Sequence, residues 1–263
     1  MNRTQRKRLD LAVTSLQRRW GTRVVIRARE VQPESRVILT RVPELDRHLG
    51  GGIPLGAITL FSGQTTSGKL TLAYKILHGA QHSSTTTGTS RLQPVAVLDL
   101  NATTDPDYGS RCGIDLDYLL LVRPQVGNQA IDVLVDLVRS RQLRAILLDG
   151  LPDLRADAAT ARYLDQLLPQ LSLLLKSSGC ALIVLDELQP PWLGWFSGTR
   201  SSAIDHYAAL HVEIKRERWI ESGGELRGYQ VQARTVKSQR ARPGQVARLA
   251  ITFGETVRAR ETW

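Results

Sequence analysis

Residues 63–71 read GQTTSGKLT, and they follow the apolar run AITLFSG that closes at Gly63. The spacing G-x-x-x-x-G-K belongs to loops whose backbone N–H groups cradle phosphates while the lysine supplies a point charge. The next residue is ordinarily a Ser or Thr whose hydroxyl reaches Mg²⁺, and here it is Leu70. Thr71 follows, but it lies about 100° further round a helix, so it cannot simply take that place; it is kept as a candidate metal ligand. The reading is a strand over 58–61, then a loop made by Gly63, Gln64, Thr65, Thr66, Ser67, Gly68 and Lys69. A helix opens at about Lys69, with Leu70 and Thr71 in its first turn and its positive end toward an anion.

Outward from the loop, short apolar runs alternate with amphipathic segments. PVAVLDL, RAILLDG and CALIVLDE read as strands, separated by helices through QAIDVLVDLVRS and ARYLDQLLPQLSLLLKSS. Such alternation predicts an α/β fold with a mostly parallel sheet covered by helices on both faces. AALHVEIKRERW, GYQVQARTVKS and VARLAITFGE alternate apolar and polar residues, which predicts an antiparallel meander extending the sheet. HSSTTTGTSRLQ is a Ser/Thr-rich connector. The strand through RAILLDG ends in Asp149, where a carboxylate can hold Mg²⁺ through its waters.

Residues 1–35 stand ahead of this core, which spans 36–263. Leu9, Val13, Leu16 and Trp20 have helical spacing, Gly21 ends the helix, RVVIRARE reads as a strand and Pro33 as a linker. A helix and strand in that position need a surface to cover, on this chain or on a neighbour.

Thirty-five Lys and Arg against 25 Asp and Glu leave a formal charge of +10, which is compatible with a nucleic-acid partner or with an Arg-rich surface. No run approaches the roughly 18 apolar residues of a membrane span, and the basic start has no apolar stretch behind it, so a soluble intracellular protein is expected. Cys112 and Cys180 lack metal-ligand spacing and read as buried thiols.

The chain resembles a RecA-family recombinase core. LTRVPELDRHLGGGIPLGAITLFSG is similar to the lead-in segment of the wider RecA, RadA and KaiC group, and DPDYGSRCGIDLDYLLLVRP, SSAIDHYAALHVEIKRERW and QARTVKSQRARPG are similar to RecA itself. The resemblance implies a RecA-like ATPase fold, ATP or ADP with Mg²⁺ as cofactors, and a polymerisation role for residues 1–35. It also implies an adenine site at Asp105 and Tyr108; an aromatic face with a carboxylate acceptor suits a purine bearing an exocyclic amine.

The family's water-activating glutamate falls on Asn101, which can orient a water but cannot take its proton, a loss of roughly 10² to 10⁴ in rate. The nucleotide-sensing glutamine falls on Glu187, a possible catalytic carboxylate. Of two lysines that reach a neighbour's nucleotide, Lys237 matches the first and Gln239 stands at the second, with Arg240 and Arg242 adding charge for an inter-subunit or DNA contact. The DNA-inserting loop reads LQPPWLGWFSGTRSS, where Trp192, Trp195, Phe196 and Arg200 offer stacking faces and a cation; stacking on a base contributes about 1–3 kcal/mol.

GLPDLRADAAT has no glycine-rich mobile tract, and little sequence follows the meander, so the full strand-exchange machinery is not expected. These losses resemble the ImuA group of RecA-like accessory proteins in bacterial translesion mutagenesis. The expectation is a cytoplasmic, nucleoid-associated repair or SOS-response protein that binds single-stranded DNA and adenine nucleotide with weak or absent hydrolysis, with self-association or translesion polymerases as protein partners. An active filament-forming ATPase and a KaiC-like regulator are the competing readings.

Overall fold

A computed structural model describes residues 3–21, 37–83, 92–125, 127–188, 203–253 and 258–259. The chain divides into two units, Met1–Ser35 and Arg36–Trp263. In the first, helix α1 (Arg3–Trp20) ends at Gly21, whose φ of 97° is left-handed and whose amide donates to the Gln17 carbonyl at 2.8 Å. The strand and linker expected between Arg23 and Pro33 lie outside the described residues.

In the second unit, β1 (Val37–Ile38) and β2 (Ile53–Pro54) pair antiparallel around the short helix α2 (Pro43–His48). Strands and helices then alternate: β3 (Ile58–Gly63), α3 (Lys69–Gln81), β4 (Val95–Asp99), α4 (Pro106–Arg111), β5 (Leu119–Val122), α5 (Asn128–Arg139), β6 (Ala145–Asp149), α6 (Leu151–Ala156), α7 (Ala158–Ser178) and β7 (Ala181–Glu187). A short helix α8 (Ala203–Tyr207) leads into β8 (Ala208–Ser222), β9 (Glu225–Ser238), β10 (Val246–Thr252) and β11 (Arg258–Ala259).

Among the described residues one nine-stranded sheet runs β11-β10-β9-β8-β3-β7-β6-β4-β5. The strands from β8 through β5 are parallel, and β9, β10 and β11 extend the β8 edge antiparallel. This is the expected fold class.

The period of two along each strand divides the core into two layers. Val95 and Val97 of β4 and Ile183 and Leu185 of β7 pack with Leu72, Ile76 and Leu77 of α3 on one face. Ala96, Leu98, Leu182 and Val184 pack with Ile131 and Leu134 of α5 and Leu164 and Leu168 of α7 on the other. Each buried Leu, Ile or Val contributes roughly 1.5–3 kcal/mol, so helices on both faces fix the strand ends tightly. Four strands finish at one edge in two pairs, Gly63 opposite Glu187 and Asp99 opposite Asp149, with the first pair two residues further out because Asp149 lies opposite Leu185. In open parallel sheets that carboxyl edge is where ligands bind.

Cys112 and Cys180 are free and buried, and burial pushes the Cys180 thiol up to about 12. Among the described residues no helix is long and apolar enough to cross a membrane.

Candidate nucleotide-binding site

The loop after β3 is shaped by close approach. A Cβ on Gly63 would stand 2.5 Å from the Ile214 carbonyl oxygen and 2.6 Å from Ser67 Oγ, so no side chain fits. Gly68 has φ of 92° and presses against Ile251, where an added Cβ would come within 2.6 Å of a methyl. The 13-residue α3 begins at Lys69 with no acidic residue in its first turn and no side-chain cap, which leaves its first-turn amides open to an anion. Ser67 is buried and its hydroxyl has no partner.

Lys69 Nζ donates to the carbonyl oxygens of Gly63 at 3.0 Å and Gln64 at 3.2 Å, so the ammonium lies within the arc of the loop. Burial lowers its pKa, opposed by the negative charges of Glu187, Asp149 and Asp186. Burial raises the pKa of Asp149, and so does neighbouring Asp99 at the end of β4. Asp149 is a single carboxylate whose charge acts on the loop lysine, and Mg²⁺ needs only one or two carboxylates beside phosphate oxygens and waters. Among the described residues no cluster of three or more His, Cys, Asp or Glu could hold a metal unaided.

Asp99 has a different task. Its carboxylate accepts from the amides of Thr103 and Thr104, both at 3.0 Å, and from Arg123 Nε at 3.1 Å. Burial works to raise its pKa, but these donors outweigh it and hold the group below its ordinary value. The bonds pin the turn that delivers Asp105, which caps α4 by accepting from the Asp107 amide at 2.9 Å. Tyr108, one turn later, shares a 2.6 Å hydrogen bond between its hydroxyl and Thr71 Oγ1. Thr71 therefore ties the Tyr108 ring to the first turn of α3. Tyr229 of β9 adjoins Gly68 as well, and Tyr229 and Phe253 lie 6.2 Å apart, an aromatic wall that sequence reading did not mark.

Leu70 packs its side chain against the core on the α3 face. Asn101 Nδ2 donates to Asp153 Oδ2 of α6 at 2.9 Å. Thr65 Oγ1 donates to Glu187, the last residue of β7, and Arg216 of β8 donates to Thr66 Oγ1 at 3.2 Å. The loop is thus clasped from both strands that flank β3. A cavity of about 240 Å³ opens on the β8 side, lined among others by Thr65, Ser67, Leu188, Glu213, Lys215 and Arg216.

Trp192, Trp195, Phe196 and Arg200 lie outside the described residues. Their segment departs from Leu188 and returns at α8, whose last-turn carbonyls of Asp205 and His206 accept from Lys237 Nζ at 2.7 and 2.8 Å. Lys237 is thereby engaged within its own chain. Arg240 and Arg242 are exposed on the connection between β9 and β10.

A model of the RecA N-terminal domain matches residues 7–258. Protein RecA of Aquifex pyrophilus is 28% identical over 269 residues, covering 95% of this chain and 75% of the relative. The RecA proteins of Rhodospirillum centenum and Azospirillum lipoferum are each 30% identical over 273 residues, covering 96% of this chain and 74% of theirs. With the match running through the phosphate loop, the Asp105–Tyr108 turn and the antiparallel extension, the chain belongs to the RecA N-terminal domain family.

Proposed function

We propose that this chain is a RecA-like DNA-repair accessory protein that binds an adenine nucleotide and single-stranded DNA, with slow or absent ATP hydrolysis. The loop amides of residues 64–69, Ser67 and Lys69 would hold the phosphates, Asp149 would hold Mg²⁺ through water, and Asp105 and Tyr108 would border the base. Bound Mg²⁺ would neutralise phosphate charge. The observation that carries the reading is the contrast within one site. Its phosphate cradle keeps the backbone shape and the lysine, while Leu70 lays a partly buried apolar side chain against the core and Asn101 is tied to Asp153. An SOS-response setting, translesion polymerase partners, self-association through residues 1–35, a cytoplasmic nucleoid location and kinship with the ImuA group belong to the same proposal, supported by the family resemblance and these motif losses.

One observation favours the active-ATPase alternative: the Glu187 carboxylate stands at the loop, bonded by Thr65. A KaiC-like regulator has no such support. The test is phosphate release from ATP with and without single-stranded oligonucleotide, alongside equilibrium binding of a fluorescent ATP analogue, with Lys69→Ala as control. Binding without turnover, lost in Lys69→Ala, is the expected result. DNA-stimulated turnover would instead establish an active recombinase-type ATPase.

A further inference from the structure

Arg216 reaches the phosphate loop because of an irregularity in β8. Gly63 pairs with Ile214 in the parallel ladder, and two residues later, on the same face, comes Arg216. Regular alternation would put Trp219 on the opposite face from Arg216. The pairing with β9 shifts, however: Arg216 opposes Val231 and Arg218 opposes Gln230, so the intervening Glu217 is an extra residue. Beyond it Trp219 opposes Tyr229, which shares the face of Val231. The bulge therefore brings Arg216 and Trp219 side by side, with the guanidinium 4.5 Å from the indole centroid. Trp219 itself stands edge-on to Tyr229 at 5.7 Å.

An arginine stacked on an aromatic face keeps its N–H edge for planar acceptors, and it loses less rotamer freedom on binding than a free side chain. One N–H bonds Thr66 Oγ1, at a residue whose φ of 61° is left-handed in the middle of the loop. The same guanidinium lines the 240 Å³ cavity together with Lys215 and the buried, unpartnered Ser67 hydroxyl. The counter-charge in that lining, Glu213, is engaged by Arg234. Tyr108 is bonded to Thr71 at the helix end of the loop, and Arg216 to Thr66 nearer its start. A nucleotide with its base by Tyr108 would direct its last phosphate toward Arg216.

We propose that Arg216, held by the bulge and Trp219, is a cation supplied by this chain to its own phosphate loop, and that it distinguishes a nucleoside triphosphate from a diphosphate. The proposal rests on the nucleotide-binding reading above. It assigns within one chain a role that cations from a neighbouring protomer could otherwise fill.

The test is titration of wild type, Arg216→Ala, Arg216→Lys and Trp219→Ala with methylanthraniloyl-ATP and methylanthraniloyl-ADP in the presence of Mg²⁺, with thermal melts of each. Arg216→Ala should weaken ATP at least tenfold while changing ADP less than threefold. Trp219→Ala and Arg216→Lys should lose part of that preference. Equal effects on both nucleotides, or none in either, would overturn the proposal while leaving the nucleotide site intact. Failure of wild type to bind either probe would instead remove the nucleotide site itself, and this proposal with it.

Discussion

Thr65, inside the phosphate loop, donates its hydroxyl hydrogen to the carboxylate of Glu187, the residue that ends β7 and leads into the segment 189–202. With the Leu188 amide donating to the Gly63 carbonyl at 3.1 Å, this joins the phosphate site to the end of β7, just ahead of the segment that carries Trp192 and Trp195. It also puts a negative charge where phosphates would sit, since Glu187 is the largest charge acting to raise the Lys69 pKa. Glu187→Gln keeps an acceptor for Thr65 but removes the repulsion. Affinity for a fluorescent ATP analogue should rise roughly three- to tenfold, the effect of relieving one like-charge contact near a surface. Glu187→Ala should instead uncouple the two segments, so that oligonucleotide binding no longer alters nucleotide affinity in the same titration.

The two motif departures can be reversed. Leu70→Thr supplies a hydroxyl in the first turn of α3, at a stability loss of about 1–2 kcal/mol because its side chain packs on the core. Asn101→Glu restores a base but gives up the 2.9 Å bond to Asp153. Singly, each should raise phosphate release little. Together they should give measurable Mg²⁺-dependent turnover, since metal placement and proton abstraction act in the same step. A double variant that binds ATP yet remains inert would mean that hydrolysis was lost elsewhere in the chain.

Asp149 is raised in pKa by burial and by its register partner Asp99. A carboxylate raised this way weakens the fold when ionised, because the unfolded chain solvates the charge better. Asp149→Asn should therefore increase the melting temperature of the nucleotide-free protein at pH 7 by a few degrees, corresponding to about 1 kcal/mol. The same change should abolish the Mg²⁺ dependence of nucleotide affinity. A less stable variant would contradict the cost of burying that charge, and one that keeps its Mg²⁺ response would contradict the metal role.

What was legible in the sequence was whatever local pattern encodes. The run Ile58–Phe61, the glycine spacing and the apolar runs ending in Asp149 and Glu187 are short-range signals, and each became a strand or loop at the expected place. What was not legible depends on pairing across the sheet. Arg216 and Trp219 are three residues apart, so strict alternation assigns them to opposite faces; only the bulge at Glu217 unites them. Tyr229 and Phe253 gave no motif, and the aromatic wall exists because β9 and β10 lie side by side. Thr65 and Glu187 stand 122 residues apart and meet because β3 and β7 are neighbours. Lys237 read as a reaching cation, and its bonds to the α8 carbonyls arise because β9 pairs it opposite His211, four residues past the end of α8.

The aromatic segment yields a prediction from composition. If Trp192 and Trp195 stack on bases, replacing both with Ala should weaken binding to a poly-dT oligonucleotide by roughly tenfold or more, since each stacked base contributes about 1–3 kcal/mol. The slope of log affinity against log salt should stay as in wild type, because phosphate neutralisation is untouched. Unchanged affinity with a lost protein partner would assign those rings to a protein interface instead.

A partly buried chain of polar contacts runs from α8 to β3. Ser62 Oγ lies 2.8 Å from His211 Nε2, and His211 Nδ1 lies 3.1 Å from Asp205 Oδ1 of α8. Ser62 is buried in the strand that feeds the phosphate loop, so the chain of contacts links α8 to β3. Burial lowers the His211 pKa, while Asp205, Asp186 and Glu213 act to raise it and Lys237 to lower it. With the net shift downward, the unfolded chain takes up a proton at a pH where the native histidine does not. The stability this represents is complete above the unfolded value near 6.5 and is lost as pH falls through the native value. His78, depressed first by burial and then by His82, adds a loss of the same sign. Melting temperature should therefore drop between pH 7.5 and pH 5, and His211→Gln should flatten part of that slope while lowering stability at pH 7.5. If this chain of contacts transmits to the loop, nucleotide affinity of wild type should fall over the same pH range and that of His211→Gln should not. A pH dependence identical in both proteins would place the titrating group elsewhere, with His78→Gln the next variant to melt.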